Sequence, residues 1–127
     1  MRAYFFTNMY IAGIHAGIQA QHCTTELFVK YTRTSLAKKT LYAWAASYKT
    51  TLILNGQDSR SMKQILTQLQ LFSRLLHLPM ATFHEEGIEN SMTCIGIVVP
   101  SQVYDAYPKS VTEERLLSLI RRFQLAR

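Results

Sequence analysis

The opening of the chain combines a dense apolar run with a helical repeat of isoleucines. The run Ala3–Phe6 is rich in aromatic residues and is typical of a buried β-strand. Thr7 and Asn8 follow it, and either side chain can cap a helix by accepting a free backbone N–H. Isoleucines then recur at three- and four-residue spacing, at Ile11, Ile14 and Ile18. This spacing predicts a helix with the isoleucines on one face, extending to Phe28 or beyond.

The middle of the chain alternates between helical stripes and β-prone runs. We predict a second helix over Ser35–Tyr48 and a strand over Thr50–Leu54, which ends at the turn dipeptide Asn55-Gly56. Asp58 or Ser59 then caps a third helix, since either side chain can accept a free backbone N–H. The apolar stripe of that helix consists of Met62, Ile65, Leu66, Leu69, Phe72 and Leu76.

The last third of the chain predicts two strands and a final helix. Pro79 stops the third helix, because proline disfavours helical backbone in the residue before it. Strands over Met80–Glu85 and Met92–Val99 follow, joined by a short polar turn. Ser110 and Glu113 form a capping box for the final helix. Its apolar face consists of Leu116, Leu117, Ile120 and Phe123.

The order of these elements defines the fold class. It is strand, helix, helix, strand, helix, strand, strand, helix. Strands joined through helices are expected to be parallel, and the closely spaced last pair antiparallel or split. The sequence therefore predicts one α/β domain over residues 1–127, with a mixed four-stranded sheet flanked by helices on both faces.

Composition narrows the class of protein further. The 127 residues are 48% hydrophobic and 17% charged, which excludes a disordered chain. No apolar run approaches the ~20 residues that span a bilayer, so we expect a cytoplasmic protein without a membrane partner. The two cysteines form neither a disulfide framework nor a metal site. The net charge of +6 favours anionic partners: nucleotides, nucleic acid or acidic surfaces.

Candidate chemistry is expected where the strands end. Ligands of open α/β sheets bind beyond the carboxyl ends of the strands, where Thr7–Tyr10, Asn55–Arg60 and Phe83–Asn90 should meet. Two helix N-termini at this edge would offer N–H groups to a phosphate. The sequence contains no glycine-rich nucleotide fingerprint, phosphate-loop lysine, zinc-binding HExxH or GxSxG elbow, so we expect no cofactor and no recognisable catalytic set.

Five side chains are candidate ligand contacts, each with an alternative. Phe83 could stack on a base or pack in the core, and Asn90 could bind a base edge or supply turn geometry. His22 could contact a ligand or be a partly buried helix histidine. Arg60 lies in the first turn of its helix, against the helix dipole, which indicates a nearby anion. Arg115 lies on a basic helix whose default environment is solvent.

Two segments carry motifs of a known enzyme family. They are Ala16–Thr25, matching a G-K-x-A-A-Q-x-x-H-A pattern, and the combination of Leu78-Pro79, Glu85, Gly87 and Thr93–Pro100. In these features the chain resembles the type 2 peptidyl-tRNA hydrolases, which implies their fold and, as an alternative function, hydrolysis of aminoacyl esters on tRNA. The family's lysine aligns with Gly17 and its acid with Glu85, while Gln21 and Thr93 are the main polar matches.

A longer pattern matches a group of small phage proteins. It comprises Tyr4-Phe5, Asn8, Tyr10, Ile14, Gly17–Ala20, Trp44, Lys49-Thr50, Leu54–Gly56, Glu85-Glu86, Asn90, Met92-Thr93, Gly96–Val98, Pro100 and Tyr104-Asp105. In this pattern the chain resembles the first-described Thoeris anti-defence family, whose oligomeric members sequester cyclic ADP-ribose signals made by bacterial TIR enzymes, with cyclic oligonucleotides as a further ligand class. The resemblance implies Phe83 and Asn90 as ligand contacts, and Arg60 and Arg115 as phosphate ligands.

Three functional hypotheses follow. The first is a phage anti-defence protein, a homo-oligomer that sequesters a cyclic nucleotide without degrading it. Its candidate ligand-binding residues are Phe83, Asn90, His22, Thr93, Asn8, Arg60 and Arg115. The second is a diverged peptidyl-tRNA hydrolase that uses Glu85, Gln21, His22 and Thr93. The third, less favoured, is a nucleic-acid-binding module whose affinity falls steeply with salt.

Overall fold

The computed structural model describes residues 1–105 and 109–126 and contains the predicted order of strands and long helices. The elements are β1 (Arg2–Thr7), α1 (Ile14–Lys30), α2 (Leu36–Ala43) with a π-helical turn (Trp44–Tyr48), β2 (Thr51–Asn55), α3 (Ser59–Leu76), β3 (Met80–Glu85), a 3-10 turn (Glu86–Ile88), β4 (Ser91–Val99), α4 (Ser101–Tyr104) and α5 (Val111–Arg121). None of the helices in the described ranges is long and apolar enough to cross a membrane.

The four strands form one mixed, open sheet in the order β2-β1-β4-β3. β1 and β2 are parallel, whereas β4 is antiparallel to both β1 and β3, which confirms the predicted directions. The C-terminal ends of β1, β2 and β3 therefore lie at the same edge of the sheet as the start of β4. We call this edge the carboxyl edge.

Helices cover both faces of the sheet, because side chains of the strands alternate between two apolar cores. Phe5 packs with residues of α1 and α2, and its neighbour Phe6 packs with residues of α3 and α5. The prediction of helices on both faces is confirmed. The C-terminal segment extends the sheet beyond β2, where the Asn55 N–H donates to the Gln124 carbonyl (2.8 Å) and the Ala126 N–H donates to the Ile53 carbonyl (2.8 Å).

Helix α1 differs from its prediction in its start and in its outward face. Thr7 and Asn8 do not cap it, because the helix begins at Ile14 after Gly13, whose φ is 60°. Ile14 is 76% exposed and Ile18 is 41% exposed. The buried face consists instead of Ala16, Gln19, Ala20, Cys23 and Leu27. These mostly small side chains let the helix backbone lie close to the sheet, and the isoleucines consequently face away from it.

Two glycines provide a matched test of this close packing. A Cβ at Gly96 would lie 2.7 Å from a ring carbon of Phe5 and 3.0 Å from the Cys23 sulfur, whereas a Cβ at Gly17 would meet nothing within 4 Å. We expect Gly96→Ala to lower the free energy of unfolding by about 1–3 kcal/mol through overpacking. Gly17→Ala should raise it by about 0.5–1 kcal/mol through helix propensity. Denaturant titration measures both, and equal effects would contradict the packing account.

Candidate ligand-binding site

Two adjoining hollows form a crevice at the carboxyl edge, on the face of the sheet that α3 covers. Their volumes are about 410 Å³ and about 150 Å³, and they share Ser59, Ser91 and Met92. Together they are lined by Asn8, Tyr10, Ile11, Ser59, Met62, Lys63, Leu66, His84, Ile88, Asn90, Ser91, Met92 and Thr93. This space suits a small ligand, since such sites occupy about 300–1,000 Å³. We call it the carboxyl-edge crevice.

The first turns of α3 supply one wall of the crevice. Asp58 is the N-cap and accepts a hydrogen bond from the Ser61 N–H (2.9 Å), as the sequence predicted. Ser59 and Lys63 are four residues apart, so they lie on the same side of the helix and both line the crevice. Arg60 is rotated by about 100° from Ser59, and its exposed side chain does not line it.

The turn between β3 and β4 supplies the opposite wall. Glu89 and Asn90 both adopt left-handed backbone conformations, each with φ 57°. This geometry brings the Asn90 carbonyl oxygen to 3.0 Å from His84 Nδ1. Because a carbonyl only accepts hydrogen bonds, Nδ1 carries the proton in this contact. The side chains of His84 and Asn90 are exposed and line the crevice, where both can meet a ligand.

Asn8 closes the end of the crevice nearest β1. Its backbone N–H donates to the Thr93 carbonyl (3.2 Å), which ties the end of β1 to β4. Its side-chain carbonyl accepts from the Tyr10 N–H (3.0 Å), an Asx-type turn. The amide NH₂ of Asn8 is therefore the group that it can offer to a ligand. The turn also places Tyr10 beside the crevice, with 76% of its surface exposed.

A β-bulge at the end of the sheet redirects Thr93 towards α1. Phe83 pairs with Cys94 but His84 pairs with Met92, so Thr93 is the extra residue. Its hydroxyl donates to Gln19 Oε1 over 2.6 Å. Gln19 Nε2 in turn donates to Glu85 Oε2 over 3.2 Å. Thr93 is 1% exposed and Gln19 is 7% exposed, so the bond between them is shielded from water, whereas the bond to Glu85 is partly buried. Together the two bonds tie α1 to β3 and β4.

His22 and Phe83 form an aromatic pair beside that chain. Their ring centroids are 4.7 Å apart and their planes are inclined by 26°, a stacked arrangement. Phe83 also packs against the core beneath α1 and α2 and is partly buried. One face of its ring is thus covered by His22. The pair lies on the opposite face of the sheet from His84, because successive strand residues alternate.

The structure divides the seven candidate residues into three groups. Asn8, Asn90 and Thr93 line the carboxyl-edge crevice. His22 and Phe83 stack together on the α1 face. Arg60 and Arg115 are exposed and line neither site. The arginines of the predicted phosphate site are consequently not brought together with Asn90, and the cation on the crevice wall is Lys63.

The predicted ligand contacts did not include Lys63, His84 or Gln19, and Ser59 and Tyr10 were predicted only as parts of the segments expected at this edge. Gln19 carries a signal in the sequence, because it is a polar residue among the small residues Ala16, Ala20 and Cys23 on one face of a helix. Glu85 was predicted only through the resemblance to the hydrolases. The pairing of His84 with Met92 depends on the β-bulge, which no residue pattern in the sequence indicates.

Together these features define an α/β protein with an open crevice, lined by both polar and apolar side chains, at the carboxyl edge of a mixed four-stranded sheet. Among the described residues, no group of three or more His, Cys, Asp or Glu side chains could hold a metal ion. No protein-family model matches the chain, and no curated protein is similar to it in sequence.

The buried hydrogen-bond chain has a measurable effect on stability. Thr93→Val keeps the shape of the side chain but leaves Gln19 Oε1 without its buried donor. We expect the free energy of unfolding to fall by about 1–3 kcal/mol, the usual penalty for an unsatisfied buried acceptor. The control is Thr67→Val, which removes an exposed hydroxyl that donates to the Lys63 carbonyl (3.1 Å). The control substitution should change the free energy of unfolding by no more than about 0.5 kcal/mol. Equal losses of stability in both variants would contradict a stabilising role of the buried hydrogen bonds.

Proposed function

We propose that this chain is a phage anti-defence protein that binds a cyclic nucleotide immune signal and sequesters it intact. The first ligand class is cyclic ADP-ribose and its isomers, and cyclic oligonucleotides are the second. In this proposal the chain has a peptidyl-tRNA hydrolase-like fold and acts in the cytoplasm of a bacterial host. The observation that carries the proposal is the carboxyl-edge crevice, whose lining combines polar groups suited to phosphate and ribose with apolar side chains suited to a base.

The groups that line the crevice can each serve a different part of such a ligand. The ammonium of Lys63 and the hydroxyl of Ser59 can hold a phosphate near the start of α3, where the helix dipole also favours an anion. The amides of Asn8 and Asn90 can bind ribose hydroxyls or base edges. The exposed ring of Tyr10 can stack on a base.

The hydrogen-bond directions favour binding over turnover. The Thr93 hydroxyl donates to an amide oxygen of Gln19, and an amide is too weak a base to take up its proton. A hydroxyl nucleophile needs an adjacent base, so this arrangement positions Thr93 rather than activating it. Gln21, which the hydrolase hypothesis requires, is exposed and donates to the Thr25 hydroxyl (3.3 Å). These contacts support sequestration and weigh against the diverged hydrolase.

Calorimetric titration with cyclic ADP-ribose isomers and cyclic dinucleotides tests the proposal. We expect tight binding, and Lys63→Gln should weaken it on the order of tenfold to a hundredfold by removing a charged hydrogen bond. The matched control is Arg60→Gln on the same helix, which should have a much smaller effect. A larger reduction in affinity in Arg60→Gln would place the phosphate at Arg60, as the family resemblance implies.

The fate of the ligand separates a binding protein from an enzyme. Ligand released by denaturation should have the mass of the compound that was added. Cleaved ligand would contradict sequestration. If no compound in the panel binds, the proposal is refuted. Cleavage of peptidyl-tRNA by the purified chain would then establish the hydrolase alternative.

The outer face of α1 supports the proposed homo-oligomer. Ile14 and Ile18 project from it, four residues apart and largely exposed, and the exposed ring of Tyr10 shortly precedes them in the chain. An exposed apolar surface of this kind is typical of a protein–protein interface. Gly17 lies between the isoleucines without any packing reason inside the chain, and a glycine allows close approach of a second backbone.

A single charge on this face should dissociate the oligomer. We expect Ile18→Asp to reduce the mass measured by analytical ultracentrifugation to that of a monomer, because a carboxylate would be buried without a partner. The control is Leu71→Asp on α3, since Leu71 is 44% exposed and Ile18 is 41% exposed. That variant should keep the oligomer, and dissociation by both substitutions, or by neither, would contradict this interface.

A further inference from the structure

The end of the sheet opposite the carboxyl edge gathers basic side chains from four segments. We call it the basic end, and it comprises Lys30, Arg33, Lys38, Lys39 and Arg74. They come from the end of α1, the loop after it, the start of α2 and the end of α3. A groove of about 390 Å³ lies among these segments, and its walls include Tyr31, Ser35, Leu36, Ala37, Arg74 and His77.

Hydrogen bonds within the chain fix some of these cations without neutralising them. Lys30 Nζ donates to the Met80 carbonyl over 2.8 Å, and Lys38 Nζ donates to the Thr32 carbonyl over 3.0 Å. Both acceptors are uncharged, so each ammonium keeps its full charge for a partner. The acidic residue on the same surface of α1 is Glu26, an exposed side chain one turn before Lys30.

Helix dipoles account for only part of this cluster. Lys30 and Arg74 lie in the last turns of their helices, where a cation is favourable. Lys38 and Lys39 lie within the first four residues of α2, where a cation is unfavourable, and the first turn of that helix contains no acid. An anion bound at the basic end would relieve this repulsion.

The shape of the groove, and an exposed tyrosine further along the helix α2 whose first residues line it, indicate which anion fits. The groove is open to solvent, so it suits a chain that passes along it better than a ligand that must be enclosed. Tyr42 is 49% exposed on α2, and Lys38 Nζ lies 5.4 Å from its ring centroid. Cations beside an exposed aromatic ring are the usual platform for unpaired nucleotides, whose phosphates and bases need both.

We propose that the basic end binds single-stranded nucleic acid, with its cations on the phosphates and Tyr42 stacked on a base. This surface lies at the opposite end of the strands from the carboxyl-edge crevice, so the proposal is independent of the cyclic nucleotide function. It adds a second, extended anion-binding surface to the chain.

Fluorescence anisotropy with a labelled oligothymidylate, titrated at several salt concentrations, tests this surface. Arg74→Glu should weaken binding and lower the slope of log affinity against log salt by about 0.7, because the variant neutralises one phosphate fewer on the single strand. The matched control is Arg121→Glu, because Arg121 is also exposed in the last turn of a helix but belongs to α5. That variant changes the net charge equally and should leave the slope unchanged.

Tyr42→Ala separates stacking from charge. We expect affinity to fall by about 5- to 100-fold at an unchanged salt slope. Thermal unfolding followed by circular dichroism verifies that each variant is folded. Equal effects of Arg74→Glu and Arg121→Glu would overturn the proposal, as would absence of binding at low salt. Equal or tighter binding of a duplex or of polyglutamate would overturn the assignment to single strands.

Discussion

The close approach of α1 to the sheet is the constraint on which the hydrogen-bond chain of Thr93, Gln19 and Glu85 depends. Gly96 permits it, because any side chain at that position would collide with the ring of Phe5 and with the Cys23 sulfur. Cys23 in turn donates to the Ala81 carbonyl over 3.3 Å. Its neighbour Cys94 is buried as well, and burial raises the pKa of the Cys94 thiol well above its ordinary value. Both cysteines consequently serve as packing groups beneath the helix.

Polar side chains at the carboxyl edge lie on both faces of the sheet, and the close approach of α1 and the β-bulge determine which of them face α1. α1 lies close enough for Gln19 to reach Glu85, and the bulge turns Thr93 to meet it. His84 lies on the opposite face through the regular alternation of β3, and it lines the crevice together with Lys63. A regular strand would alternate its side chains without this extra residue. The bulge therefore adds Thr93 to a largely buried polar cluster on the α1 face, while the crevice lies on the other face.

Local chemistry made much of the fold predictable. The boundaries of β3 and the capping box of Ser110 with Glu113 were predicted from residues close together in sequence, and both are confirmed. Of the two caps predicted for α3, Asp58 or Ser59, the structure has Asp58. Each of these features depends on a hydrogen bond or a backbone preference that spans three or four residues. Such features can be predicted from a short stretch of sequence, because all the residues that determine them lie within it.

The predictions that were wrong share a different physical origin. The isoleucines of α1 follow a helical repeat, yet repeat spacing does not distinguish a face that packs on the sheet from one that is exposed, and Ile14 is 76% exposed. Arg60 lies about 100° around α3 from Ser59, and which of the two faces the crevice depends on how α3 packs against the sheet. Long-range packing decides both, so the candidate site was less predictable than the elements that carry it.

The distribution of charge gives the two proposed anion-binding surfaces different electrostatics. Four carboxylates lie at or beside the carboxyl edge: Asp58, Glu85, Glu86 and Glu89. With Lys63 as the cation on its wall, the crevice must select its ligand through amides, hydroxyls and stacking rather than through net attraction. Long-range attraction is screened by salt, whereas short hydrogen bonds are much less so. The net charge of +6 therefore describes the basic end better than the crevice, and binding at the two surfaces should respond differently to ionic strength.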